Sequence, residues 1–79
     1  MKKVENFLPE QCRAARAFLN WSQAELAERA GVAKQTLADF ERGARTPYPR
    51  TLADIKKALE AEGIEFMNGG APGVRLNKG

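Results

Sequence analysis

Histidine is absent from the 79 residues and cysteine occurs once, so the usual side chains for acid–base, nucleophilic and metal chemistry are nearly missing. No glycine-rich phosphate loop follows a strand pattern, and no acidic cluster has ligand spacing, so neither a cofactor nor a metal is expected. An enzyme built on carboxylates or lysines alone is the weakest reading. Cys12 has no intrachain disulfide partner, which excludes a disulfide-stapled scaffold and fits a reducing cytoplasm; it reads as a small apolar helix residue. No apolar run is long enough to span a bilayer. Met1-Lys2-Lys3 begins like a leader, but Val4-Glu5-Asn6 follows instead of an apolar stretch, so a cytoplasmic, nucleoid-associated protein is expected.

What is present favours one folded domain. Apolar residues make up 43% and charged residues 29%, a balance that belongs to a small core with a solvated surface. The net charge is +3, and its distribution matters more than its size. Residues 1–30 carry five basic and four acidic side chains, residues 31–57 six and three, and residues 58–79 two and three. The positive excess lies in the middle, where an anionic partner would meet it.

Helical periodicity accounts for most of the chain. Pro9 suits a first turn, Cys12, Ala15, Phe18 and Leu19 follow at helical spacing, and Asn20 can take the left-handed conformation that ends a helix. This predicts helix 1 over about Pro9 to Leu19. Ser22-Gln23-Ala24-Glu25 reads as a reciprocal capping box opening helix 2, with Leu26, Ala27 and Ala30 as its apolar face and Gly31 as its stop. Helix 3 follows Ala33, a poor cap, and carries Leu37 and Phe40 before Gly43. "ARTPYP", residues 44–49, is a loop by its two prolines. Thr51 with Asp54 is the expected start of helix 4, whose buried stripe is Leu52, Ile55, Ala58 and Leu59 and whose stop is Gly63. Beyond it the period becomes two: Ile64 and Phe66, a glycine-rich turn, then Val74 and Leu76, which predicts a two-stranded hairpin. An isolated hairpin is marginal in water, so it must pack on the helices or pair with another chain.

Between helices 2 and 3, small Ala27, then Gly31, then Val32, Leu37 and Phe40 meet the needs of two short helices crossing steeply through a tight turn. The same residues carry a resemblance. "WSQAELAERAGVAKQTLADFERG", followed by "TP" and "TLADIKKAL", resembles the phage-repressor and Cro-like, or xenobiotic-response-element (XRE), helix-turn-helix family over roughly Glu10 to Leu59. The resemblance implies an all-α, compact bundle of four to five helices that docks its third helix in the DNA major groove. With the C-terminal β-hairpin, the expected organisation is a DNA-binding domain over residues 8–63 and a tail over 64–79, the tail serving as a dimerisation element. Two features depart from the family: Ala33 stands where Ser or Thr is usual, and the common core lacks the hairpin.

At about 100° per residue, with Lys34 at zero, Ala38 falls near 40°, Gln35 near 100° and Asp39 near 140°, while Thr36, Phe40 and Leu37 occupy the opposite arc. Taken alone, this polar arc could be an ordinary solvated face; the surrounding family pattern makes it a contact surface. Gln35 suits paired hydrogen bonds to adenine, Lys34 guanine or a phosphate, Asp39 the cytosine amino group or exclusion of wrong registers, and Ala38 the thymine methyl. The resemblance implies that Gln23 touches the DNA backbone at the start of helix 2. Arg42, Arg45 and Arg50 cluster after helix 3 as further phosphate contacts. It also implies that Arg16 pairs with Glu41 as structural support, which keeps both out of the base-reading set. Trp21 reads as core or rim packing rather than a stacking platform, which would suit single strands.

The expected function is a sequence-specific regulator of double-stranded DNA, a repressor acting as a homodimer. The competing reading is a DNA-binding antitoxin or adaptor whose partner is a protein such as a toxin.

Overall fold

The computed structural model describes residues 7–77. Met1-Lys2-Lys3 and the residues after it up to Asn6 lie outside that range. The elements in chain order are α1 (Pro9–Leu19), α2 (Gln23–Ala30), α3 (Lys34–Glu41), α4 (Pro49–Glu60), β1 (Ile64–Met67) and β2 (Gly73–Leu76). Four helices and an antiparallel hairpin are therefore present among the described residues.

The first three helices end alike. Asn20 adopts a left-handed backbone (φ 59°), its N–H reaches Ala17 O at 3.2 Å, and Trp21 N reaches back to Arg16 O at 3.0 Å. After α2, Gly31 takes φ 72°, with Val32 N on Ala27 O at 3.0 Å. After α3, Ala44 N reaches Asp39 O at 2.9 Å. Each closure satisfies terminal carbonyls that would otherwise lack a donor and turns the chain sharply within two residues.

Helix starts differ more from expectation. Ser22 Oγ accepts from Glu25 N at 3.0 Å, but the reciprocal half of the capping box does not form; Glu25 instead takes Arg29, one turn on, at 3.1 Å. The α4 start expected at Thr51 and Asp54 is also corrected. Pro49 opens the helix two residues earlier, because proline supplies helical φ where no N–H is needed, and no side chain caps it.

The core draws on all four helices and β1: Phe7, Cys12, Ala15, Leu26, Ala27, Leu37, Phe40, Ile55, Leu59 and Ile64 are buried together. Phe18, which helical spacing groups with Cys12 and Ala15, is 51% exposed, because at about 100° per residue it lies about 120° round the helix from Cys12, at the edge of the apolar face. Phe7, which precedes the helix, takes part instead. Its ring lies 5.5 Å from that of Phe40 and 5.0 Å, edge-on, from that of Phe66, tying α3 to β1.

The hairpin pairs Ile64 with Leu76 and Phe66 with Val74, so its inner face is the apolar one. Phe66, Val74 and Leu76 pack against the helical core. Gln11, buried in α1, binds the other end of the hairpin: its Oε1 accepts from Leu8 N at 3.0 Å, while Nε2 faces Gly73 O at 3.0 Å, Asn68 Oδ1 at 3.2 Å and Met67 O at 3.3 Å. At the near end, Gly63 (φ 96°) meets the backbone so closely that a Cβ there would stand 2.5 Å from Asn77 O. Of the two fates expected for the hairpin, packing on the helices is the one seen.

Candidate nucleic-acid interface

The left-handed turn at Gly31 brings α2 and α3 together with only Gly31, Val32 and Ala33 between them. Leu37, Phe40 and Glu41 are buried on the inner side of α3. Lys34 and Gln35 are exposed on its outer side, Ala38 and Asp39 are half-buried beside them, and Thr36 is half-buried on the rim toward α4. All four residues of the expected base-facing set thus share one continuous outer face.

Two of them are joined. Gln35 Nε2 donates to Asp39 Oδ1 at 2.9 Å, and Arg42 Nη2 donates to the same oxygen at 2.8 Å. Accepting from Gln35 and then from Arg42 holds the Asp39 carboxyl below its usual range, and Arg45 adds to the effect.

Behind this face sits a polar knot. Glu41 is 2% exposed, and its carboxylate is fully engaged. Arg16 approaches it as a fork, Nε to Oε2 at 2.8 Å and Nη2 to Oε1 at 2.7 Å. Gln23 Nε2 donates to Oε1 at 2.9 Å and the Cys12 thiol to Oε2 at 3.0 Å. Burial pushes the Glu41 carboxyl up, but the bonds from Arg16, Gln23 and Cys12 outweigh it and hold the group below its ordinary value. Burial first, and then the bond to that carboxylate, push the Cys12 thiol far up, so it stays protonated and donates. Arg16 also reaches Trp21 O at 3.0 Å, and Arg13 donates to the Glu41 carbonyl. The start of α2 and the end of α3 are thereby fastened to α1. Trp21 is half-buried at the edge of the core, covered by the Arg29 guanidinium 4.4 Å from its ring.

The expected phosphate contacts fall into two groups. Arg42, Arg45 and Arg50 are exposed around the α3–α4 loop. Gln23 is half-buried at the first position of α2, with one amide hydrogen committed to Glu41. Thr36, Arg45, Thr46, Pro47, Tyr48 and Thr51 line a cavity of about 360 Å³ between α3 and the start of α4. Tyr48 is 82% exposed there. The amino end of α4 has no acidic residue in its first turn and no side-chain cap, which leaves its positive dipole end open beside Arg50. Sequence reasoning missed the hydroxyls of this cavity, which only the fold of the loop brings together. It also missed Cys12 and Arg13 in the knot, although Cys12 stands one turn before Arg16.

The helix-turn-helix family model matches residues 13–66, from within α1 into β1 and more than half of the chain. The chain belongs to the helix-turn-helix family. Within this helix-turn-helix domain, α2 and α3 with the Gly31 turn are the motif, and α1 and α4 complete the XRE-type bundle. The domain is similar to an uncharacterised HTH-type transcriptional regulator, y4dL, of Sinorhizobium fredii, with 36% identity over 55 residues. The matched stretch is 70% of this chain and 28% of that relative, so the chain spans little more than a quarter of the relative's length. Among the described residues no helix is long and apolar enough to cross a membrane, and no group of histidine, cysteine or acidic side chains could hold a metal ion.

Proposed function

We propose that the protein is a sequence-specific, double-stranded DNA-binding repressor of the cytoplasm, acting as a homodimer with α3 in the major groove. One observation carries the reading: α3 offers an exposed polar face while its opposite side is locked to α1 through the Arg16–Glu41 pair, at 2.7 Å. A recognition helix needs both, since side chains can discriminate bases only from a backbone that does not yield.

In this reading Lys34, Gln35, Ala38 and Asp39 face base edges. Arg42, Arg45 and Arg50 meet phosphates on the α4 side, with Gln23 on the α2 side through its uncommitted amide atoms. Phosphate contacts position the domain and base contacts specify the sequence, so the two groups fail differently. One unit reads only a few base pairs, and a dimer spanning half-sites about 34 Å apart, or a multiple of it, provides useful affinity. The hairpin supports a dimer contact, because among the described residues its two strands pair with each other alone and leave outer edges for a second copy.

Selection of bound fragments from a random duplex library, at stated salt, tests binding, site and spacing together. Gln35→Ala is expected to relax preference at one or two base pairs, at a cost of about 1–3 kcal/mol on the preferred site. Arg45→Ala is expected to weaken binding to all sequences alike and to flatten the salt dependence. Equal loss on every sequence from both variants would refute this division of labour. A chain that sediments as a monomer both free and on its selected duplex would remove the dimer.

A further inference from the structure

Resting on the reading above and changing it only in the role of Asp39, we propose that Asp39 is a positioning residue that fixes the amide of Gln35 for base recognition, and is not itself a reader of bases. Gln35 and Asp39 are one turn apart on the outer face of α3, and Gln35 Nε2 donates to Asp39 Oδ1 at 2.9 Å. The Asp39 side chain is only 18% exposed, tucked between Gln35 and an Arg42 side chain that is 66% exposed.

The chemistry of the two groups gives this contact its consequence. A free glutamine amide can turn over and present either its oxygen or its NH2 group to a base. An ionised carboxylate accepts and never donates, so it can hold only the nitrogen side. With one Nε2 hydrogen on Asp39, the amide keeps its nitrogen toward Asp39 and its oxygen away, and the second Nε2 hydrogen stays free. What remains is one donor and one acceptor in a fixed order, the pair required by N7 and N6 of adenine. Arg42, donating to the same Asp39 oxygen at 2.8 Å, balances the negative charge that would otherwise face a polyanion. An acid can therefore stand on this face without repelling the duplex.

The experiment repeats the random-duplex selection with Gln35→Ala, Asp39→Ala, Asp39→Asn and the Gln35→Ala/Asp39→Ala double variant, after thermal melts show each folded. Gln35→Ala should reduce preference at its base pair by roughly 5- to 140-fold. Asp39→Ala should reduce preference at that same pair, and the double variant should be no worse there than Gln35→Ala alone. Asp39→Asn, which can still offer an oxygen to Nε2, should restore part of the loss. The proposal is overturned if Asp39→Ala changes a different base pair whether or not Gln35 is present, or shifts affinity for every duplex equally. A wild-type chain that enriches no sequence overturns the DNA reading and this proposal with it.

A measurement without DNA tests the contact by itself. By nuclear magnetic resonance, the Gln35 side-chain amide protons should move as Asp39 titrates, below the ordinary carboxylate range because Gln35 and then Arg42 donate to it and Arg45 lies near. An amide that ignores this titration overturns the proposal whatever the selection shows.

Discussion

Glu41 shows how a single buried charge supports a recognition helix. An ion pair is weak evidence of stability on its own, because desolvation offsets the attraction; removing one partner is costly, because the other charge is left buried. Here the carboxylate meets a two-pronged guanidinium, an amide and a thiol, which leaves no oxygen unpaired. Glu41→Gln should destabilise the fold by about 3 kcal/mol, the lower end of the range for breaking a buried pair. The lower end applies because Arg16 keeps 19% of its side-chain surface in water. The sign with pH follows from the depressed carboxyl. The folded group titrates below its ordinary value of 4.5, so its contribution is complete above that pH and is lost as the pH falls through the folded value. Urea unfolding of both chains from neutral pH downward should show their stability difference shrinking once the pH falls below about 4.5. A difference that stays constant would mean that Glu41 acts through shape and not charge.

At the scale of elements, α3 is the helix whose position matters most, yet its start has neither a side-chain cap nor the first-turn proline that opens α1 and α4. Ala33 has the extended backbone of a cap (φ −69°, ψ 139°) but no side-chain acceptor, and the first turn of α3 has no acidic residue. Ala33→Ser should add a bond in which the Thr36 N–H donates to the serine oxygen, and stabilise the protein by about 1 kcal/mol, read as a higher urea midpoint with an unchanged slope. No gain would mean that the packing of α3 already sets its start. The bounds of the helices were legible because their signals are local: Asn20, Gly31 and Pro9 act within a turn of where they stand. Where two local signals compete, the stronger sets the start, and α4 begins at Pro49 instead of Thr51. What escaped is non-local. Phe7 is core only because Phe40 and Phe66 arrive beside it, and Gln11 is buried only because the hairpin returns over α1. The candidate interface divides the same way. The outer face of α3 could be read from periodicity, but the cavity beside Tyr48 and Thr51 depends on a loop path that no repeat encodes.

For the whole molecule, the question is whether the hairpin is an appendage or part of the fold. A division at residue 63 suits the change of period in the sequence, and the helix-turn-helix match reaches only residue 66. The packing argues for unity. Ile64 is 2% exposed in the common core, Phe66 abuts the Phe7 ring that also meets Phe40 on α3, and Gln11 holds the far end of the hairpin from α1. A 79-residue chain has little burial to spare, and about 1.5–3 kcal/mol for a buried isoleucine is a large share of its stability. A chain ending at Gly63 is therefore expected to melt at much lower temperature than the full chain and to show poorer dispersion of its core resonances. Gln11→Ala, which keeps every apolar contact but leaves the hairpin carbonyls without their donor, should fall between the two. If the shortened chain melts like the full one, the hairpin contributes nothing to the helical core, and its apolar face is free to serve a second copy. If it unfolds, any dimer must form through the outer edges and surfaces that this packing leaves exposed. The same melt then restricts where a partner could attach, because strand pairing with a second copy would have to leave the Gln11 clamp and the Phe7 cluster in place.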